Sequence, residues 1–138
     1  MADLVQLVYV STARLGLTED DVAAITAKSN VSNKDNGISG LLLYNGVNFM
    51  QCIEGAPDAI RQLMDNIASD PRHVGVIVVN RQAIARRSFE AWSMKFVPAL
   101  RSKNRAATVD HDNKVAGNLP GGIEPSVRKL LESFDSLA

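Results

Sequence analysis

The chain has 138 residues, 46% of them hydrophobic, which suits one domain with a real core and leaves little room for a second. Fifteen basic and fifteen acidic residues cancel, and no Lys/Arg run stands out, which argues against nucleic acid and acidic membranes as partners. The single Cys52 excludes an internal disulfide framework. MADLVQLVYV lacks the basic region and cleavage site of a signal peptide, and no apolar run reaches the ~20 residues that span a bilayer, so a cytoplasmic location is expected.

Leu4 to Ser11 reads as a strand with Val5, Leu7, Tyr9 and Ser11 on one face and Leu4, Gln6, Val8 and Val10 on the other. Both faces are largely apolar, which predicts a central strand covered on both sides, and Tyr9 is then a buried phenol needing a partner. Thr18 to Asp21 has the form of a capping box, with Leu17 and Val22 at the spacing of a hydrophobic staple. The helix it opens is expected to reach about Ser29, with Val22, Ile25 and Ser29 on one face and Ala23 and Ala24 allowing close approach to the sheet or to a flat ligand. Asn30 to Gly37, with three asparagines and a glycine, reads as a loop.

Ile38 to Tyr44 and Val47 to Ile53 read as two strands joined at Asn45-Gly46 by a two-residue hairpin turn. Alternation puts Phe49, Gln51 and Ile53 on one face and Met50 and Cys52 on the other. An amide between two large apolar residues is buried, and leaving it unpaired costs about 1–3 kcal/mol, so Gln51 requires a hydrogen-bonding partner. Pro57 and Asp58 suit the first turn of a second helix, with Ile60, Leu63, Met64 and Ile67 as its apolar stripe and Asp70-Pro71 as its end. Val74 to Val79 is nearly continuously apolar and predicts another buried strand. Phe89 to Val97 predicts a fifth, with Glu90, Trp92, Met94 and Phe96 on one face.

The expected fold class is α+β: a ferredoxin-like β-α-β-β-α-β plan with an added fifth strand in a mixed sheet. Beyond Pro98 the chain turns polar through Gly122, and Ile123, Val127, Leu130, Leu131 and Phe134 then mark a terminal amphipathic helix suited to cover the sheet's open face. Residues 1–98 and a C-terminal extension, 99–138, are the expected divisions. Asp110, His111 and Asp112 do not make a metal site, because three adjacent polar residues cannot all converge on one ion without further ligands.

Tyr9, Asn33, GISGLLLY, FMQCIEG, DPRH and FEAWSMKF, in this order, resemble the BLUF family of blue-light sensors that use FAD, and the likeness runs from about Leu4 to Val97. The resemblance implies noncovalent FAD, Tyr9 as donor of an electron and a proton, and Gln51 as the amide between it and the flavin ring. It implies Asn33 at the ring's polar edge, Ile25 packed on the ring, and Arg72 and His73 at the pyrimidine end or ribityl chain with Asp70 nearby. Trp92 and Met94 match the last-strand pair that relays the signal. Asn30, Ser32 and Asn66 depart from residues common in relatives.

A photoreceptor module without an output catalytic domain, signalling to an unidentified downstream protein and open to homo-oligomerisation, is the leading expectation. The alternative is a light-independent ferredoxin-like regulatory domain or small flavoenzyme. Arg14 stands near a single Gly16 and forms no Gly-rich anion loop for hydrolysis, and no G-x-G-x-x-G fingerprint serves a nicotinamide.

Overall fold

The computed structural model describes residues 3–89, 94–98, 119–121, 123 and 125–136. Strand β1 (Leu4–Ala13) lies inside a five-stranded sheet, flanked on one side by β4 (His73–Ile84) and on the other by β3 (Asn48–Gly55), β2 (Ser39–Tyr44) and β5 (Lys95–Pro98) in turn. All neighbours are antiparallel except β2 and β5. The order β4-β1-β3-β2 is that of the ferredoxin-like plan, with β5 added beside β2.

Strand alternation divides the core into two halves. Leu7, Tyr9, Leu42, Phe49 and Ile53 face helices α1 (Glu19–Asp35) and α2 (Pro57–Ala68), which contribute Val22, Ile60 and Ile67. Val8, Leu41, Leu43, Met50 and Cys52 face the other way and are covered by Val127 and Leu131 of α3 (Pro125–Glu132) and by Phe134 of the 3-10 turn that follows it. The terminal helix thus lies on the sheet face that the first two helices leave open.

Helix α1 begins as its sequence predicts. The Thr18 hydroxyl accepts from the Asp21 N–H (3.1 Å), and the Asp21 carboxylate accepts from the Thr18 N–H (3.0 Å). It does not end at Ser29: residues 30–35 continue the helix, which stops at Asn36 and Gly37, the latter at φ 68°. Asparagine is a poor helix former because its amide competes for backbone groups, but here Asn30 donates back to the Thr26 carbonyl and Asn36 to that of Ser32. Asn33 is buried, so tertiary packing outweighs propensity. The face toward the sheet carries Val22, Thr26 and Asn33, while Ala23 and Ala24 are exposed.

Three strand expectations also change. The hairpin loop between β2 and β3 spans three residues, 45–47, and Tyr44 pairs with Phe49. The Asn45 side chain accepts from the N–H groups of Val47 (3.0 Å) and Asn48 (2.7 Å), closing an Asx turn, and only Gly46 takes a positive φ. Strand β4 is an edge strand with Val74, Ile77, Val78 and Val79 exposed, so its apolar run reflects β-branched strand preference rather than burial. Strand β5 begins at Lys95, and Phe89 sits before it as part of the far-face core. Trp92, Glu90 and the Asp110-His111-Asp112 stretch lie outside the described residues. No helix among the described residues is long and apolar enough to cross a membrane.

Candidate functional site

One cross-strand row organises the site. Val78, Tyr9, Gln51, Leu42 and Phe96 are successive partners across β4, β1, β3, β2 and β5. Neighbours in such a row stand close enough for side chains to meet. The Tyr9 hydroxyl donates to Gln51 Oε1, and Gln51 Nε2 donates to the sulfur of Met94 (3.2 Å). The two buried polar groups that needed partners therefore find each other, and Met94 completes the amide's surroundings. Among the described residues these two bonds leave the amide a second N–H and a second lone pair, and Gln51 borders an open cleft.

That cleft lies between α1, α2 and the sheet and measures about 620 Å³ including its open mouth. Ile25, Leu42, Leu63 and Ile67 give it apolar walls; Asn33, Gln51 and Asn66 bring amides to it, and Asp70, Arg72 and His73 stand at the loop entering β4. Of the nine residues named from sequence, seven line the cleft: Ile25, Asn33, Gln51, Asp70, Arg72, His73 and Met94. Tyr9 stands behind Gln51, and Trp92 is outside the described residues.

Leu42, Phe49, Leu63 and Ile67 also line the cleft and Ser11 meets His73 beside it, none of them singled out by sequence. Leu42 and Phe49 share the face of Gln51, and Leu63 and Ile67 belong to the α2 stripe, so pattern marks them as core without separating wall from core. Ser11 was visible only as the next Tyr9-side residue of β1; its hydroxyl lies 2.9 Å from His73 Nδ1. The His73 ring stands 4.7 Å from the Phe49 ring and 6.0 Å, edge-on, from that of Tyr9.

Burial raises the Tyr9 pKa far above that of a free phenol, and the Asp70 charge adds to the effect, so the hydroxyl keeps its proton. Burial also lowers the His73 pKa against the opposing pull of Asp70, with Arg72 assisting. The Asp70 carboxyl is held below its ordinary range chiefly by hydrogen bonds from the Arg72 side chain, whose Nε lies 2.9 Å from Oδ1 and 3.0 Å from Oδ2. Arg72 is thereby oriented at the cleft rather than left to swing in solvent.

A cleft with aliphatic walls, three amides in its lining and a phenol-amide pair beside it defines a ferredoxin-like domain suited to hold a planar ring that is apolar on its faces and polar at its rim. An isoalloxazine ring meets that description. The chain belongs to the BLUF family: residues 4–95 match the family described as sensors of blue-light using FAD. It is 35% identical over 92 residues to photoactivated adenylate cyclase subunit beta of Euglena longa, a match covering 66% of this chain and 11% of that protein.

Among solved structures, BlrB, a BLUF protein in its dark state, matches with a TM-score of 0.71 at 33% identity over 99% of both chains. Klebsiella pneumoniae BlrP1 with FMN and cyclic diGMP matches with a TM-score of 0.66 at 33% identity, over 70% of this chain and 26% of that one. This chain therefore spans only a small part of the cyclase subunit and of BlrP1. It is a flavin-binding member of a blue-light sensor family.

Proposed function

We propose that Tyr9 and Gln51 form the photoactive pair of this sensor, and that light leaves the amide of Gln51 in a changed hydrogen-bond arrangement which a partner protein reads. The observation that carries this reading is the chain of contacts from the Tyr9 hydroxyl through the Gln51 amide to the Met94 sulfur at the edge of the cleft. FAD, when bound and excited by blue light, supplies an acceptor for an electron and a proton. Tyr9 gives up both and takes both back. Because burial keeps its proton in place in the dark, the phenol enters each cycle in one protonation state.

Gln51 is suited to record the event. Rotation or tautomerisation of its amide exchanges donor for acceptor without moving net charge. With the amide turned, nitrogen faces Tyr9 and oxygen faces Met94, so the sulfur loses its donor and the phenol must offer its own lone pair. Ile25 holds the ring from α1, Asn33 matches its polar edge, and Asp70, Arg72 and His73 orient the ribityl side. Residues 1–98 serve as the sensor unit and residues 99–138 as the extension through which the response leaves, with Trp92 and Met94 on the relay.

The test is Gln51→Leu, which keeps the bulk of the side chain and removes its hydrogen bonds. The variant is expected to retain flavin while losing the reversible light-induced change in its absorption spectrum. A normal photocycle in Gln51→Leu would place the switch elsewhere.

A further inference from the structure

On the face of the sheet away from the cleft, a second row crosses four strands and is polar where its surroundings are apolar: Gln82 of β4, Gln6 of β1, Glu54 of β3 and Ser39 of β2 are successive partners. Glu54 is completely buried, three residues beyond Gln51 on the same strand and therefore on the opposite face. A buried carboxylate persists only when several donors surround it. Glu54 has four. Its Oε2 accepts from Gln6 Nε2 (2.8 Å) and the Ser88 N–H (2.7 Å), and its Oε1 accepts from the Ser39 hydroxyl (3.0 Å) and the Phe89 N–H (2.9 Å).

Two of those donors are consecutive backbone N–H groups, so the carboxylate fixes the chain itself at Ser88 and Phe89 rather than a side chain that can turn away. Arg87 adds a strap over the same corner, donating to the Ser39 hydroxyl (3.0 Å), the Glu54 carbonyl (3.0 Å) and the Gly37 carbonyl (2.6 Å). The ring of Phe89 packs in the core formed with Cys52, Val127, Leu131 and Phe134. Met94, five positions further along the chain, meets the Gln51 amide on the other side of the sheet.

We propose that Glu54 is a positioning residue that anchors the β4–β5 connection, holding Met94 against the Gln51 amide on one face of the sheet and Phe89 beneath the terminal helix on the other. A single carboxylate on the strand of Gln51 thus ties the environment of the photoactive amide to the seating of α3. This inference rests on the Tyr9–Gln51 reading for its significance in light, but the anchoring itself is a property of the dark protein.

The experiment uses the full flavin-loaded chain with 13C-labelled methionine methyl groups, the Met94 resonance assigned by Met94→Leu and the Met64 resonance, on α2, serving as reference. Glu54→Gln keeps shape but replaces two acceptor positions by donors facing N–H and O–H groups. It is expected to shift the Met94 methyl resonance in the dark, leave that of Met64 in place, and change the rate of return from the lit to the dark spectrum severalfold. Ser39→Ala and Arg87→Ala, which each remove part of the anchor, are expected to shift the Met94 methyl in the same direction by less, and they carry the test if Glu54→Gln does not fold. An unmoved Met94 methyl in the folded variants would overturn the anchoring role. A wild-type chain that loads flavin but shows no light-induced change would instead overturn the photoreceptor reading, whatever the methyl resonances do.

Discussion

His73 joins the buried row to the mouth of the cleft, with its ring against Phe49 and Tyr9 and its Nδ1 at the Ser11 hydroxyl. Burial lowers its pKa, so folding favours the neutral ring. As pH falls through the ordinary histidine value of about 6.5, the unfolded chain takes up a proton before the folded one does. The stability that His73 contributes is therefore present above that value and lost as pH falls toward its lower folded pKa. Thermal melts of wild type and His73→Gln should diverge in this way: the wild-type melting temperature falls more steeply between about pH 7 and about pH 5. Parallel pH dependence in the two proteins would remove His73 as the cause. At this scale Tyr9 and Gln51 were legible because each is a polar group on a covered strand and must be paired. The Ser11–His73 contact was not, since it joins strands through a register that a single strand's pattern does not contain.

Helix α1 shows where local rules run short. Its capped start followed from residue spacing, but its last turns rest on asparagines that propensity assigns to a loop. Those turns bring Asn33 into the cleft, buried beside the α2 residues Leu63 and Asn66 that also line it. Alanine is the better helix former, so Asn33→Ala should preserve α1 while weakening flavin retention by about 1–3 kcal/mol, the cost of an unmatched buried polar group. A reconstitution titration checks this, and unchanged affinity with unchanged helicity would place Asn33 outside the binding contacts. Strand β4 failed in the opposite sense: β-branched runs mark strands without distinguishing a centre from an edge, and sheet order decides which of the two holds. The alternation in β1 and β3 was reliable because both strands lie within the sheet, where each face must meet a core.

Among the described residues the sheet carries two cores, the cleft side under α1 and α2 and the far side under α3. Coverage of the far face by the terminal stripe was readable from its period, whereas the tie through Glu54 and Ser88 was not, because it depends on the path of the chain after β4. If the signal leaves through α3, its seating must differ between dark and light, and a partner must bind the two states with different affinity. Hydrogen exchange across residues 125–136 should then change under continuous blue light, with partner capture changing alongside it. Equal protection and equal capture in both states would exclude this output route while leaving the flavin chemistry intact. Sensing of blue light through a bound flavin is checked by a light-minus-dark absorption spectrum of the purified, FAD-loaded protein. A flavin spectrum that shifts under blue light and returns fully in darkness is expected. A chain that fails to bind flavin, or that holds it with no reversible change under illumination, would contradict it.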